Sequence, residues 1–130
     1  MQNEKKIFVA IDYSDIQKSI DFLSIISNNI GGIKIGLEFF CSNGPKGVEK
    51  IKKFGLPIFL DLKLKDIPNT VKNAAKNLIE LSPEYLSVHL TGGITMLKEI
   101  VSIKKQTKIL GVSLLTSLDD YDLKRFGLKI

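Results

Sequence analysis

Segments typical of a β-strand and segments typical of an α-helix alternate five times along this chain of 130 residues. Each short apolar, β-branched run is followed by apolar residues at helical spacing, and one such unit takes about twenty-five residues. Parallel strands need a crossover of this kind, usually a helix. The alternation therefore predicts an α/β fold with a parallel sheet. The predicted strands are residues 7–11, 33–37, 56 to 61 or slightly beyond, 85–90 and 108–115.

Helix starts are marked by polar caps, by proline and by glycine. Asp15, with Ser14 before it, can cap a first helix, and Gly55 is a typical stop for the second. The last helix is expected to run to Ile130. The five helices are expected after Ser14–Asp15, Gly44–Pro45, Pro68, Gly92–Gly93 and Ser117–Asp120.

Composition excludes several classes of function. With 44% hydrophobic and 25% charged residues, the chain is not a disordered protein. Its net charge of +5 comes from lysines spread along the whole sequence, with no basic block and no recognisable nucleic-acid-binding motif. We therefore expect no nucleic-acid partner. The positive net charge suits an anionic small-molecule substrate as well as it would suit a nucleic acid.

Cysteine and histidine usage limits the possible chemistry further. Cys41 and His89 are the only residues of their types, so neither an intrachain disulfide nor a cysteine- or histidine-rich metal site is expected. The N-terminus leads at once into the first strand, without the apolar segment of a signal peptide. No apolar stretch approaches membrane-spanning length, so no membrane association is predicted. The expected location is the cytoplasm.

Charged residues directly follow the apolar third strand, in the segment Asp61–Thr70. Alternate side chains of a strand share a face, which places Asp61 and Lys63 together. Burying a carboxylate and an ammonium group there is costly unless they are paired. The pair is a candidate functional site, and an ordinary solvated ion pair is an equally good interpretation of the charge pattern alone.

Polar residues also occur where other predicted strands end. In a (β/α)₈ barrel the active site is built at this edge. Taken singly, Asp12 could cap a helix, His89 could be a hydrogen-bonded rim residue, and Thr116 could belong to a turn. Lys34, between two isoleucines of the second strand, is harder to explain without a function because an unpaired buried lysine is costly. The set predicts a TIM (β/α)₈ barrel, of which about five βα units are present; it comprises Asp12, Lys34, Asp61, Lys63, His89 and Thr116.

Several short motifs then occur in a characteristic order and spacing. They are Phe8–Asp12, Ile33–Gly36, Asp61–Lys63 continuing into Asp66–Thr70, Val88–His89 with Gly92–Gly93, and Leu114–Ser117. In these motifs the whole chain resembles the bacterial orotidine 5′-phosphate decarboxylase family. The Asp-x-Lys-x-x-Asp core is shared with related sugar-phosphate enzymes, but its continuation into Ile-Pro-Asn-Thr favours the decarboxylase.

The resemblance implies conversion of orotidine 5′-phosphate to UMP and CO2 in pyrimidine biosynthesis, without a metal or organic cofactor. It implies a tetrad of charges in which Lys63 protonates C6 and Asp61 disfavours the bound substrate carboxylate. Lys34 and Asp66 would keep these two groups ionised and oriented. The implied catalytic residues are Lys34, Asp61, Lys63 and Asp66.

The resemblance also implies a homodimer, with Asp66, Ile67 and Thr70 reaching across the interface into the partner's site. Asp12 would bind the ribose hydroxyls, Thr116 would lie against the pyrimidine, and Lys34 would also contact substrate. The implied substrate-binding residues are Asp12, Lys34, Ile67, Thr70 and Thr116.

Length is the one departure from this family. A complete barrel has eight strands and about 250 residues, and the glutamine and arginine that would bind the substrate phosphate have no counterpart here. We expect residues 1–130 to be the N-terminal part of a decarboxylase barrel domain, from a truncated or split gene or an incomplete sequence. Two alternatives remain: a half-barrel subunit inactive without a complementary chain, and a magnesium-dependent sugar-phosphate enzyme such as a hexulose-phosphate synthase.

Overall fold

Five parallel strands form one sheet in the order β1-β2-β3-β4-β5, so every strand pairs with its neighbours in sequence. The structure is a computed structural model that describes residues 6–128. The strands are β1 (Phe8–Ile11), β2 (Gly32–Gly36), β3 (Ile58–Leu64), β4 (Tyr85–His89) and β5 (Lys108–Val112). The helices are α1 (Ile16–Ile26), α2 (Leu37–Lys52), α3 (Pro68–Ile79), α4 (Ile94–Ile103) and α5 (Asp120–Arg125).

This strand order, with a helix after every strand, is the winding of a (β/α) barrel. A closed barrel of this type has eight strands, so the five present here make a partial barrel. The predicted α/β class and the five βα units are confirmed.

The hydrophobic core lies between the helices and one face of the sheet. Alternate strand residues point towards the helices, among them Ile33, Ile35, Leu60 and Leu86, and all four are completely buried. Helix side chains pack against them; those with no exposed surface are Leu23, Phe39, Val48, Ile51, Ala75, Met96 and Ile100. The opposite side of the sheet, which we call the inner face, carries the intervening residues.

Aromatic side chains occupy the N-terminal end of the inner face. The rings of Phe8 and Phe59 both meet Tyr85 edge to face, with centroids 5.6 and 6.0 Å away. A Cβ atom on Gly32 would lie 2.3 Å from the Phe8 ring, so only glycine leaves room for that ring. Charged side chains are found further along the same strands.

One predicted boundary is clearly wrong. We expected β2 to reach Leu37 and the second helix to open at Gly44, but α2 already begins at Leu37. Residues 37–43 form a first helical segment that buries Phe39, and the chain kinks at Gly44 (φ 58°, ψ −162°) before Pro45. Gly44 and Pro45 therefore restart a helix instead of starting it.

Smaller differences occur at other ends. Strand β3 begins at Ile58, two residues later than expected, and continues past Asp61 to Leu64, whereas β5 ends at Val112 and not at Leu115. Asp119 is the N-cap of α5, which ends at Arg125; Ile130, its predicted end, lies outside the described residues. No helix within residues 6–128 combines the length and apolarity needed to cross a membrane.

Candidate active site

Two lysine side chains converge on the carboxylate of Asp61 on the inner face. Lys34 Nζ, from β2, lies 3.3 Å from Oδ2, and Lys63 Nζ, from β3, lies 2.9 Å from Oδ1. The Asp61 side chain is only 12% exposed, whereas those of Lys34 and Lys63 are 27% and 33% exposed. The carboxylate is thus enclosed, and the ammonium groups remain accessible to a ligand above the sheet.

The backbone of β3 departs from a regular strand at this point. The register with β4 shifts between Leu60 and Leu64, which is the signature of a β-bulge. Within this bulge Lys63 has φ +49°, in the left-handed region that residues other than glycine rarely adopt. Such strained backbone is typical of functional sites.

Ser87 of β4 connects these groups. Its Oγ donates a hydrogen bond to Asp61 Oδ1 at 2.8 Å and accepts one from the Lys63 backbone N–H at 2.9 Å. The residue is 1% exposed. Ser87 was not among the predicted site residues. A hydroxyl inside an apolar strand indicates that a partner is needed once it is buried, but not which partner.

The Asp61 carboxyl has opposing influences on its pKa. Burial alone would raise it, because desolvation disfavours the charged form. Hydrogen bonds from Lys63, Ser87 and Lys34, together with the positive charge of Lys63, outweigh burial. The pKa of Asp61 is therefore lowered, and the carboxyl is ionised at neutral pH.

Asp12 follows β1 and lies close to this group. Its Oδ1 is 3.1 Å from the position that a Cβ atom on Gly36 would take, and Lys34 Nζ is 3.8 Å from the same position. Glycine at residue 36 thus leaves room for both charged groups at the carboxyl ends of β1 and β2. Asp12 itself is exposed.

Within residues 6–128, the remaining predicted members make no hydrogen bond or ion pair with the Asp61 cluster, which comprises Lys34, Asp61, Lys63 and Ser87. Asp66 is exposed and its Oδ1 accepts the backbone N–H of Ile67 at 2.6 Å; no ion pair within residues 6–128 includes it. Ile67 is 67% exposed, and Thr70, in the first turn of α3, is also exposed. Thr116 is exposed in the segment between β5 and α5.

His89 is the last residue of β4 and lies on the same face as Ser87. Its Nδ1 atom is buried and has no hydrogen-bond partner in the part of the chain that the structure describes. Across that same part, no cluster of three or more His, Cys, Asp or Glu side chains could hold a metal ion.

Comparison with known proteins identifies relatives of this arrangement. Residues 5–129 match the family model described as the orotidine 5′-phosphate decarboxylase / HUMPS family. An orotidine 5′-phosphate decarboxylase of Sphingopyxis alaskensis is 47% identical over 123 residues, which cover 94% of this chain and 55% of the relative. That of a Wolbachia from Brugia malayi is 43% identical, with the same two coverages. The chain thus spans about half the length of the curated relatives it matches.

Solved structures give the same picture of the fold. The crystal structure of orotidine 5′-phosphate decarboxylase from Lactobacillus acidophilus superposes with a TM-score of 0.80 at 33% sequence identity. The match covers 93% of this chain and 58% of that one. The five βα units are therefore similar in three dimensions to part of a larger barrel.

Proposed function

Because this chain belongs to the orotidine 5′-phosphate decarboxylase / HUMPS family, we propose that it carries the reacting end of a site that converts orotidine 5′-phosphate to UMP and CO2. The observation that supports this most directly is the Asp61 carboxylate held between the ammonium groups of Lys34 and Lys63. The domain assignment belongs to the same proposal: residues 1–130 form part of a decarboxylase barrel domain.

Lys63 is the proposed proton donor. Breaking the bond between C6 of the pyrimidine and its carboxylate releases CO2 and leaves the electron pair on C6, with no adjacent carbonyl placed to delocalise it as an enolate. An ammonium group fixed beside C6 stabilises this charge as it develops and then transfers a proton to it. The amine of Lys63 regains its proton from solvent, to which one third of its side chain is exposed.

Asp61 is proposed to act on the substrate carboxylate. An ionised carboxylate beside it disfavours the ground state more than a transition state in which CO2 is leaving. Burial raises the pKa of Asp61, but hydrogen bonds from both lysines and Ser87 lower it by more. The net pKa is lowered, so Asp61 stays ionised for this role. Lys34 orients Asp61, and Asp66 would complete the set of four charges.

Binding roles follow the same logic. Asp12 accepts hydrogen bonds from the ribose hydroxyls, with Lys34 beside it, and Thr116 lies against the pyrimidine. The exposed positions of Asp66, Ile67 and Thr70 suit residues that reach into the site of a second subunit of a homodimer. We place the enzyme in the cytoplasm, as expected for pyrimidine biosynthesis, with the phosphate bound by residues outside the five units seen here.

A chimera tests the function directly. The matching 123-residue segment of the Sphingopyxis alaskensis relative is replaced by this chain, so that the relative supplies the remainder of the barrel. We expect the purified chimera to release CO2 from carboxyl-labelled orotidine 5′-phosphate without added magnesium. The 130-residue chain alone should show little or no turnover, because binding energy from the remote phosphate is needed to drive the reacting end.

Substitutions in the chimera assign the chemistry. Lys63→Ala should lower kcat by at least about a thousandfold, because it removes both the proton donor and a charge-stabilising group. Lys98→Ala, at an exposed position of α4, serves as the control and should leave kcat unchanged. A folded chimera without decarboxylase activity, or a Lys63→Ala variant with appreciable turnover, would contradict the proposal.

A further inference from the structure

We propose that Ser87 is a positioning residue for this site, and that its single hydroxyl fixes both the Asp61 carboxylate and the backbone that carries Lys63. The geometric part of this inference stands alone, whereas its effect on turnover rests on the proposed function. Ser87 lies in the middle of β4, beside Asp61 in the middle of β3.

The hydrogen bonds of Ser87 use the hydroxyl in two ways at once. A serine hydroxyl has one proton to donate and two lone pairs to accept with. Its proton goes to Asp61 Oδ1 at 2.8 Å, and one lone pair accepts the Lys63 N–H at 2.9 Å. Lys63 Nζ also lies 2.9 Å from Oδ1. The ammonium group of Lys63 therefore contacts this oxygen directly, and its backbone N–H is linked to the same oxygen through Ser87 Oγ.

The bulge in β3 explains why a side chain is needed here. In a regular parallel ladder the Lys63 N–H would donate to a backbone carbonyl of the neighbouring strand. The register with β4 breaks after Leu60 and resumes only at the pair Leu64 and Val88. Ser87 Oγ takes the place of that carbonyl, and this allows Lys63 to hold φ +49° without leaving its N–H unpaired.

Burial makes the hydroxyl difficult to replace. Ser87 is 1% exposed, and the apolar side chains of Leu86 and Val88, on either side of it in β4, point to the opposite, helix-covered face of the sheet. Neither neighbour can donate to a carboxylate, and there is little access for water to take over. Removal of the hydroxyl therefore leaves the Lys63 N–H without a partner and frees Asp61 on one side.

The first test uses the 130-residue chain and needs no substrate. Ser87→Ala is compared with Ser19→Ala, which alters another fully buried serine, in α1, whose Oγ makes only a long 3.5 Å contact with the Asp15 carbonyl. Hydrogen exchange of the Lys63 amide should speed up about tenfold in Ser87→Ala, and not in Ser19→Ala. Unchanged exchange in both variants would overturn the inference.

A carbon-13 titration of the Asp61 carboxyl gives a second reading in the same samples. The charged groups near this carboxyl are Lys34 and Lys63, with Asp12 beside Lys34 over Gly36. In Ser87→Ala the pKa of Asp61 should rise towards its usual value, because one hydrogen bond to the ionised form is lost. The side chain of Ser87→Cys is similar in size but a weak hydrogen-bond donor, so this variant should also raise the pKa of Asp61. Both measurements are made on Ser87→Cys if the alanine variant does not fold.

Kinetics in the chimera described above separate positioning from a purely structural role. Ser87→Ala should lower kcat by about a hundredfold with little change in KM, because the misplaced groups act on the reacting centre. An active parent chimera with an unaffected Ser87→Ala variant overturns the positioning role. If the exchange and titration effects are present but the parent chimera is inactive, the proposed function fails while the structural role of Ser87 stands.

Discussion

Asp61, in the middle of β3, shows how a largely buried carboxyl group can remain ionised. Desolvation opposes ionisation of a buried carboxyl, and only several donors together reverse its effect. Lys63, Lys34 and Ser87 provide three donors from three different strands. The carboxylate therefore links β2, β3 and β4 as well as serving the proposed chemistry.

The lowered pKa of Asp61 predicts a specific dependence of stability on pH. Burial opposes the shift but is outweighed by the hydrogen bonds from Lys63, Ser87 and Lys34. A carboxyl whose pKa is lower in the folded than in the unfolded state stabilises the fold above its unfolded pKa. In the unfolded chain Asp61 has the pKa of an ordinary aspartate, about 4. The stabilisation is therefore lost as the pH falls from about 4 through the lowered pKa of the folded state.

Urea unfolding of the wild type and of Asp61→Asn at several pH values measures this contribution. The free energy of unfolding of the wild type should fall more steeply on acidification than that of Asp61→Asn. Glu80→Gln is the matched control, since Glu80 is ion-paired with Lys105 at 2.6 Å but exposed to solvent; exposed pairs contribute little. Identical pH profiles for the wild type and Asp61→Asn would contradict the prediction.

Some of these residues could be found from sequence and others could not. Asp61, Lys63 and Lys34 were predictable because charges inside or directly after an apolar strand conflict with burial. Ser87 was not, because its role depends on which residue of β4 lies beside the bulge, and strand register is set by tertiary packing. The separation of Asp66 from the Asp61 cluster likewise depends on the path of the chain beyond β3.

Among the strands, β3 has an irregular backbone where it carries the side chain of Lys63. Its N-terminal part pairs regularly with β2 and β4, and the bulge follows directly after Leu60. The left-handed conformation of Lys63 costs on the order of 1–3 kcal/mol in a residue with a side chain. The rest of the sheet must offset that cost, so the site should be a place where function and stability oppose each other.

Two substitutions at Lys63 measure this strain. Both Lys63→Gly and Lys63→Ala remove the ammonium group, so their difference reports the backbone strain at this position, set against the greater flexibility of glycine in the unfolded chain. Lys63→Gly should be the more stable by about 1 kcal/mol in urea unfolding, since glycine adopts positive φ without steric cost.

The same pair at residue 65 provides the control. Lys65 is not among the described residues with positive φ, so there the glycine variant should be less stable than the alanine variant. If Lys63→Gly proved no more stable than Lys63→Ala, the bulge would carry no strain of this kind.

Helix and strand boundaries were predictable where local sequence signals determine them, and not where tertiary packing does. The cap at Asp15 and the start of α3 at Pro68 were predicted because their signals are local: Asp15 Oδ1 accepts the Gln17 N–H at 2.8 Å, and proline fits the first helical turn. The start of α2 at Leu37 was missed because Ile33, Ile35 and Leu37 alternate as apolar residues do in a strand. Burial of Phe39 against the sheet, a tertiary effect, decides in favour of helix there.

Across the whole sheet, the inner face carries aromatic side chains at one end of the strands and charged side chains further along them. Phe8, Phe59 and Tyr85 fill the N-terminal end, and the Asp61 cluster lies beyond them along the strands. The helices cover only the other face, and β1 and β5 each have an unpaired edge within the described sheet. In a complete barrel further strands close such edges.

The open sheet predicts self-association of the 130-residue chain. Unpaired strand edges bearing apolar side chains recruit other chains. Ile7, just before β1, is 66% exposed, and Leu110 on β5 is 38% exposed. Light scattering during gel filtration should therefore give a molecular mass that rises with protein concentration.

Lysine substitutions identify the surface responsible. Changing Ile7→Lys and Leu110→Lys together should lower the association, because charges at a sheet edge oppose strand pairing. Ile25→Lys is the matched control: Ile25 is 77% exposed but lies on helix α1 and not on a strand, and its substitution should leave association unchanged. A wild type that stays monomeric at every concentration, or equal effects of the edge and helix substitutions, would show that the open edges do not drive association. A decrease confined to the edge variant would instead show that the two open strand edges cause the association, and that exposed apolar surface in general does not.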